Sequence, residues 1–278
     1  MVTSFTLPPV GFGPGSQPPD GDDELTYMSM PQDMRTFSPR IPEVEEPGRF
    51  GPAFDLLAAF ADACDAVART GTAVGFDLSG LDAPNRRLLA ETLGEGEVSI
   101  RLQGIPAIAA QESVFAGLWV LKGAGVDRAE VAPVPALARD RAFAARRPAI
   151  GALARRRPGV VNAPSLLAEL MDKSLTYRPG QEIHVVNLTL LPHTEEDLLW
   201  LDEALGEGSV TILSRGYGNC RITATAQANV WRVQFFNSMD VLILDTFEVT
   251  AMPEVALAAT EDLTDSAGRL REVLEAIR

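Results

Sequence analysis

Phe76 to Gly96 reads FDLSGLDAPNRRLLAETLGEG, and Leu188 to Gly208 reads LTLLPHTEEDLLWLDEALGEG. The two stretches align without a gap at a shift of 112 residues, and the same shift carries Val98 onto Val210, Ile100 onto Ile212, Gly104 onto Gly216 and Trp119 onto Trp231. Self-similarity at a fixed spacing marks a repeated structural unit. Upstream, Leu56-Leu57-Ala58 recurs as Leu166-Leu167-Ala168 at a slightly different shift, so each copy is expected to open with a helix. The expected organisation is an arm over 1–50, a first repeat over 51–127, an Arg/Pro-rich linker over 128–159 and a second repeat over 160–278.

Within the second copy, Leu166 to Leu175 carries apolar residues at helical spacing, and Ile183 to Leu191 is an aliphatic strand. Thr194 then serves as an N-cap, with Glu195, Glu196 and Asp197 in the first turn, where carboxylates suit the positive end of the helix dipole. The helix should end near Leu205, with Gly206 as the left-handed residue closing it and Gly208 leading into a strand at Ser209–Ser214. Gly216-Tyr217-Gly218-Asn219 is turn chemistry. Arg221–Ala226, Val230–Phe236 and Val241–Val249 read as further strands, and an amphipathic helix follows Pro253. Strands joined by short turns are antiparallel, and the helices before them must cover one face. The expected fold class is therefore α+β: two tandem two-layer sandwiches, with helices packed on mainly antiparallel sheets.

The arm holds nine prolines between Pro8 and Pro47, set among glycines and acids without a hydrophobic period, and is read as flexible. Between the copies, Arg139, Arg141, Arg146, Arg147 and Arg155 to Arg157 form a local cationic patch interrupted by prolines. The chain as a whole is acidic, with a net charge of −14 that repels phosphate backbones and anionic lipid. Nucleic acid is excluded as a general partner. No run approaches the roughly 18 apolar residues of a bilayer span, and the start lacks an export leader, so no membrane insertion and a cytoplasmic location are expected.

Leu-Gly-Glu-Gly occurs twice, at 93–96 and 205–208, where a helix runs into a strand. A phosphate loop runs the other way, from strand into helix, so these glycines are read as helix ends. His184 and His193 have no second ligand at helical or turn spacing and are assigned structural or surface roles. Cys64 and Cys220 are too far apart to suggest a zinc site or disulfide framework. Arg215 and Arg221 bracket Cys220, which keeps a reactive thiol, exposed or half-buried, among the alternatives. No serine sits in a nucleophile elbow with a partnered histidine. The expectation is a chain with no catalytic residues, no metal and no cofactor.

Two stretches are better explained by binding. Gly13, Pro14, Gly15, Ser16 and Gln17 lie in an arm that has no core to serve, and Arg215, Gly216, Tyr217, Gly218, Asn219, Cys220 and Arg221 put an aromatic and two arginines around a tight turn. Arginine and tyrosine are enriched where proteins bind proteins.

GPGSQP at 13–18, LGEGEVSIR at 93–101, QESVFAGLW at 111–119, SRGYGNCRI at 214–222 and PEVALAATEDLTDSAGRLREVLE at 253–275 together resemble the HupH/HyaF family of NiFe-hydrogenase expression proteins. The resemblance implies a non-enzymatic accessory protein or chaperone that binds the iron–sulfur small-subunit precursor of an uptake hydrogenase before twin-arginine export. It also implies a thioredoxin-like companion from the same operon. The alternative is a redox or iron–sulfur-handling assembly factor acting through Cys220, although two distant cysteines fall short of the usual four thiolates of a cluster.

Overall fold

The computed structural model describes residues 47–215 and 218–277. Helix α1 (Gly51–Thr70) forms because Phe54, Leu57, Phe60, Ala61, Cys64 and Val67 recur at helical spacing and are buried along one stripe. It stops at Gly71, whose left-handed backbone (φ 67°, ψ 3°) returns its N–H to the Val67 carbonyl. Strand β1 (Val74–Asp77), helix α2 (Ala83–Leu93) and the strands β2 (Val98–Leu102), β3 (Ile108–Glu112), β4 (Leu118–Gly123) and β5 (Val126–Val131) follow, then the short helix α3 (Ala136–Arg141). The second copy repeats the order. It runs through α4 (Ala163–Thr176), β6 (His184–Asn187), α5 (Glu195–Leu205), β7 (Val210–Ser214), β8 (Asn219–Ala224), β9 (Val230–Phe236) and β10 (Leu242–Val249), then a 3-10 turn at Glu254–Ala256 and helix α6 (Thr260–Ile277).

The α+β class, with helices on an antiparallel sheet, is observed. The two repeats share one sheet of ten strands in the order β1-β5-β4-β3-β2-β7-β8-β9-β10-β6. They join at β2 and β7, whose ladder pairs Val98 with Ser214, Ile100 with Ile212 and Leu102 with Val210. Alternation along the strands separates two faces. On one, Leu118, Ala129 and Val131 pack under α1, α2 and α6, and their counterparts Val230, Phe247 and Val249 pack with α4 and α5. On the other, Ile100, Trp119, Leu121, Ile212, Ile222 and Trp231 form a core common to both halves, completed by Ala138 of α3 and Ala256. Each tryptophan donates its Nε1–H to an equivalent carbonyl, Trp119 to Ala132 at 2.9 Å and Trp231 to Thr250 at 3.2 Å.

The segments that leave each repeat cover the other. Helix α6 puts Leu263, Ala267, Leu270 and Leu274 into the same cluster as Phe54, Leu57 and Phe60 of α1, and its Ser266 hydroxyl donates to the Ala116 carbonyl at 3.0 Å. In the opposite direction, Ala154 packs with α4 and α5, and its carbonyl accepts from Trp200 Nε1 at 3.0 Å. Arg146 and Arg147, expected in a local cationic patch, pair with Glu207 and Asp202 at 2.5 and 2.7 Å. The boundary expected at 127 falls inside β5, because the strand continues through Val131 to pair with β1 and β4. The described residues accordingly cluster as one compact unit.

Two further differences from the sequence reading have plain causes. The 112-residue shift holds from the helix caps, Asp82 and Thr194, as far as Gly123 in β4 and Phe235 in β9. Upstream the equivalent residues are Leu78 and Leu188, which donate their N–H groups to Asp127 and Asp245 in matching places. The loops between therefore differ by two residues, Ser79–Leu81 against Thr189–His193, and the apparent gapless match across them is a coincidence of leucines. Gly206 does end α5, but at φ 67°, ψ −167°, an extended conformation essentially restricted to glycine rather than the left-handed helical one. A Cβ there would sit 2.4 Å from the Arg147 carbonyl oxygen, so the crossing linker is what demands glycine.

Asp197 organises the helix starts of the second half. Its backbone N–H and Oδ2 form a capping box with Thr194, while Oδ1 accepts the N–H groups of Val161, Asn162 and Ala163 at 2.8 to 3.0 Å, capping α4 as well. Burial works against the charge of this carboxylate, yet these backbone donors outweigh it and hold its pKa below the ordinary aspartate value.

Candidate partner-binding site

Gly13, Pro14, Gly15, Ser16 and Gln17, and in the turn Gly216 and Tyr217, lie outside the described residues. Both flanks of that turn are described. Arg215 is exposed, and its backbone N–H donates to the Glu97 carbonyl at 3.1 Å, which anchors the end of β7 to the first half. Gly218 takes φ 106° on the way into β8. Asn219 donates from Nδ2 to Asp240 Oδ1 at 3.0 Å, tying the turn to the neighbouring β9–β10 hairpin. Arg221 points to the opposite face from Cys220 and stands over the Phe236 ring, 5.6 Å from its centroid, a cation–π contact. Together Arg215, Asn219, Arg221, Phe236 and Asp240 line an open cleft of about 560 Å³. Two guanidinium groups, an amide and an aromatic face can hydrogen-bond and stack on a polypeptide surface.

Cys220 lies on the wall of this cleft, but its side chain belongs to the core behind it. It is 3% exposed, packed in the shared core with Ile222, Ala224 and Phe235. Burial, and secondarily the Glu248 carboxylate, push its thiol up to about 12, the reverse of the lowering expected from two bracketing arginines. The expectation of an exposed or half-buried thiol is corrected by the strand itself: Cys220, Ile222 and Ala224 alternate inward, while Arg221 and Thr223 alternate outward. Cys64 is likewise buried, in α1, and its thiol is also raised to about 12 by burial.

His184 Nε2 contacts Glu169 Oε1 at 2.8 Å and His193 Nδ1 contacts the Leu191 carbonyl at 2.9 Å. Among the described residues, no three or more His, Cys, Asp or Glu side chains are grouped so that they could hold a metal ion, and no helix is long and apolar enough to cross a membrane. Glu112 is the unusual acid. It is buried on β3, accepts the Gly117 N–H at 2.9 Å, and has its pKa raised to about 7 by burial, with the charges of Glu97 and Asp262 adding to the shift against that hydrogen bond.

Phe236 and Asp240 were missing from the residues expected at the turn, because they arrive from β9 and the hairpin beyond it. Ile105 is a second omission. It is fully exposed in the β2–β3 turn, and the shift that places Gly104 on Gly216 places Ile105 on Tyr217, a signal already present in the repeat.

Residues 160–277 match the conserved C-terminal region of the HupH hydrogenase expression protein. Over 278 residues the chain is 64% identical to the hydrogenase expression/formation protein HupH of Rhodobacter capsulatus, covering 100% of both. It is 46% identical to the hydrogenase expression/formation protein HoxQ of Cupriavidus necator, over 99% of this chain and 98% of that one. The hydrogenase-1 operon protein HyaF of Escherichia coli is 32% identical over 95% of this chain and 94% of its own. Among solved structures, the hydrogenase expression protein HupH from Thiobacillus denitrificans is similar over 44% of this chain and 98% of its own, with 29% identity and a TM-score of 0.38.

Proposed function

Since the chain belongs to the HupH family of hydrogenase expression proteins, we propose that it is a non-catalytic accessory protein of hydrogenase maturation that binds the iron–sulfur small-subunit precursor in the cytoplasm before export. The observation that carries the maturation role is identity along the entire length, 64% over 278 residues, to a relative named for hydrogenase expression and formation. Support for a binding mode comes from the cleft beside the Arg215–Arg221 turn, where guanidinium groups and an aromatic ring face solvent. The resemblance also makes a thioredoxin-like accessory protein a second candidate partner. A redox or iron–sulfur role through Cys220 is disfavoured by the burial of its thiol.

The test is co-purification of tagged small-subunit precursor with the wild-type protein, a form lacking residues 1–20, Tyr217→Ala and Arg221→Ala, with thermal melts alongside. Truncating an anchoring aromatic or arginine at an interface costs on the order of 2 kcal/mol, so recovery should fall in each variant while melting is unchanged. Equal recovery in all three would remove the arm and the turn from the binding surface. Failure of the wild-type protein to retain the precursor would sink the reading itself.

A further inference from the structure

The two halves differ in length at two places, and both lie at the same edge of the sheet. The first is the loop Thr189–His193 after β6, two residues longer than Ser79–Leu81. The second is the β9–β10 hairpin. Gly123 opposite Val126 in the first half corresponds to Phe235 opposite Leu244 in the second, so the turn residues 124–125 are replaced by the eight residues 236–243. The two insertions meet where the Asp245 N–H donates to Thr189 Oγ1 at 2.9 Å.

Both insertions bring aliphatic side chains to the surface. Leu190 is 79% exposed in the loop, and Met239, Val241, Leu242 and Ile243 are 77%, 53%, 44% and 56% exposed in the hairpin. The hairpin is well built rather than loose: Asn237 Oδ1 accepts the N–H groups of Met239 and Val241, and the Asn237 N–H donates to the Val241 carbonyl at 2.9 Å. Its outer edge is open. β6 pairs with β10 only from Thr246 to Val249, and the loop takes up Asp245, so among the described residues Val241 to Leu244 have no strand on that side. Natural sheets guard such edges with charge, proline, brevity or bulges; Val241-Leu242-Ile243-Leu244 has neither charge nor proline, and its guard is confined to its short length and the register shift between Leu242 and Leu244.

We propose that this edge is a docking site for an extended segment of a partner polypeptide, which adds as a strand along Val241–Leu244 and lays aliphatic side chains beside Leu190, Met239 and Ile243. Main-chain hydrogen bonds supply the affinity and the flanking aliphatics the preference for apolar residues. The inference rests on reading the chain as a binding protein and adds the chemistry of what it holds. A second copy is a poorer occupant, because a standard interface takes about 20–30 residues a side and this patch offers a handful. An anionic lipid surface is poorer still for a chain of net charge −14.

The experiment uses the full-length chain and, as probe, a short peptide alternating valine and threonine with lysine ends, beside the same peptide N-methylated at alternate residues. Hydrogen exchange should slow at Leu242 and Ile243 with the plain peptide only, the chain should stay monomeric, and Ile243→Lys should weaken binding by about tenfold or more with its melt unchanged. Equal binding of the N-methylated peptide, no protection at Leu242 and Ile243, self-association through this edge, or wild-type-only binding to phosphatidylglycerol vesicles would each overturn the proposal. The small-subunit precursor separates the two readings. Wild-type recovery of precursor by Ile243→Lys counts against this edge alone, whereas no recovery by the wild-type protein counts against the client and leaves the peptide result to decide the edge.

Discussion

Ile100 lies directly opposite Ile212 in the central ladder, and the two are each other's counterpart in the repeat. The neighbours exchange about this point: Val98 faces Ser214 and Leu102 faces Val210, while the N–H of Gln103 reaches the Ser209 carbonyl and that of Arg215 reaches the Glu97 carbonyl at the opposite end. A local two-fold axis therefore passes between the two isoleucines, and both side chains are buried in the core common to the halves.

Because that core is shared, truncating either isoleucine should loosen both repeats at once. Ile212→Ala is expected to cost about 2–5 kcal/mol, the range for removing a large buried aliphatic side chain. Urea unfolding followed by fluorescence should show a single transition that moves as a whole, and two separable transitions would contradict a common core.

Glu112 should make the protein less stable as pH rises. Its folded pKa, about 7, lies above the unfolded value, so below about pH 4 the residue contributes nothing, and from there to about pH 7 the unfolded chain loses its proton while the folded one keeps it. The penalty reaches roughly 3 kcal/mol at the upper end. Glu112→Gln keeps an acceptor for the Gly117 N–H, so it should stabilise the fold at pH 8 and be nearly neutral at pH 4. Chemical denaturation at the two pH values measures this, and an equal effect at both would show that Glu112 ionises normally.

Asp197 should act in the opposite sense. With its folded pKa lowered, its stabilisation is fully present above the unfolded aspartate value near 4 and is lost as pH falls through the folded one. Asp197→Ala removes the cap of two helices and leaves the N–H groups of Val161, Asn162 and Ala163 without their acceptor, for a loss of about 2–4 kcal/mol at neutral pH. The difference from the wild-type protein should narrow in acid melts. A difference that is constant with pH would exclude the charged carboxylate as its source.

Both thiols should be nearly inert in the folded chain. With pKa values of about 12, Cys64 and Cys220 hold little thiolate at pH 8, so alkylation should be slow until denaturant is added. Cys220→Ser is expected to retain folding and hydrogenase maturation. Rapid labelling of Cys220 in native protein, or lost maturation at normal protein levels, would restore a chemical role for it.

Much of this arrangement could be read from residues in their local setting. The Thr194 cap, the glycine at the end of α5 and the inward-outward alternation of β7 to β9 depend on neighbours a few positions away. The joining of β2 to β7 did not announce itself, because Val98–Leu102 and Val210–Ser214 are short alternating strands that name no partner. Cys220 differs for another reason: the arginines that flank it in sequence do not flank its thiol, because the alternation of β8 turns Arg221 outward and Cys220 inward. At the candidate site, the turn was legible from its arginines and tyrosine, but Phe236 and Asp240 reach it only through pairing between strands. The hairpin insertion is hidden because it lies beyond Gly123 and Phe235, where the 112-residue correspondence stops.

The crossing of α6 onto α1 has a consequence for synthesis. Phe54, Leu57 and Phe60 are made about 200 residues before Leu263 to Leu274, which close over them. At about 5–20 residues per second the ribosome leaves that apolar stripe without its final cover for ten seconds or more. The stripe along α1 therefore stays open until α6 has been made, so closure of the first half waits on a helix that follows the second.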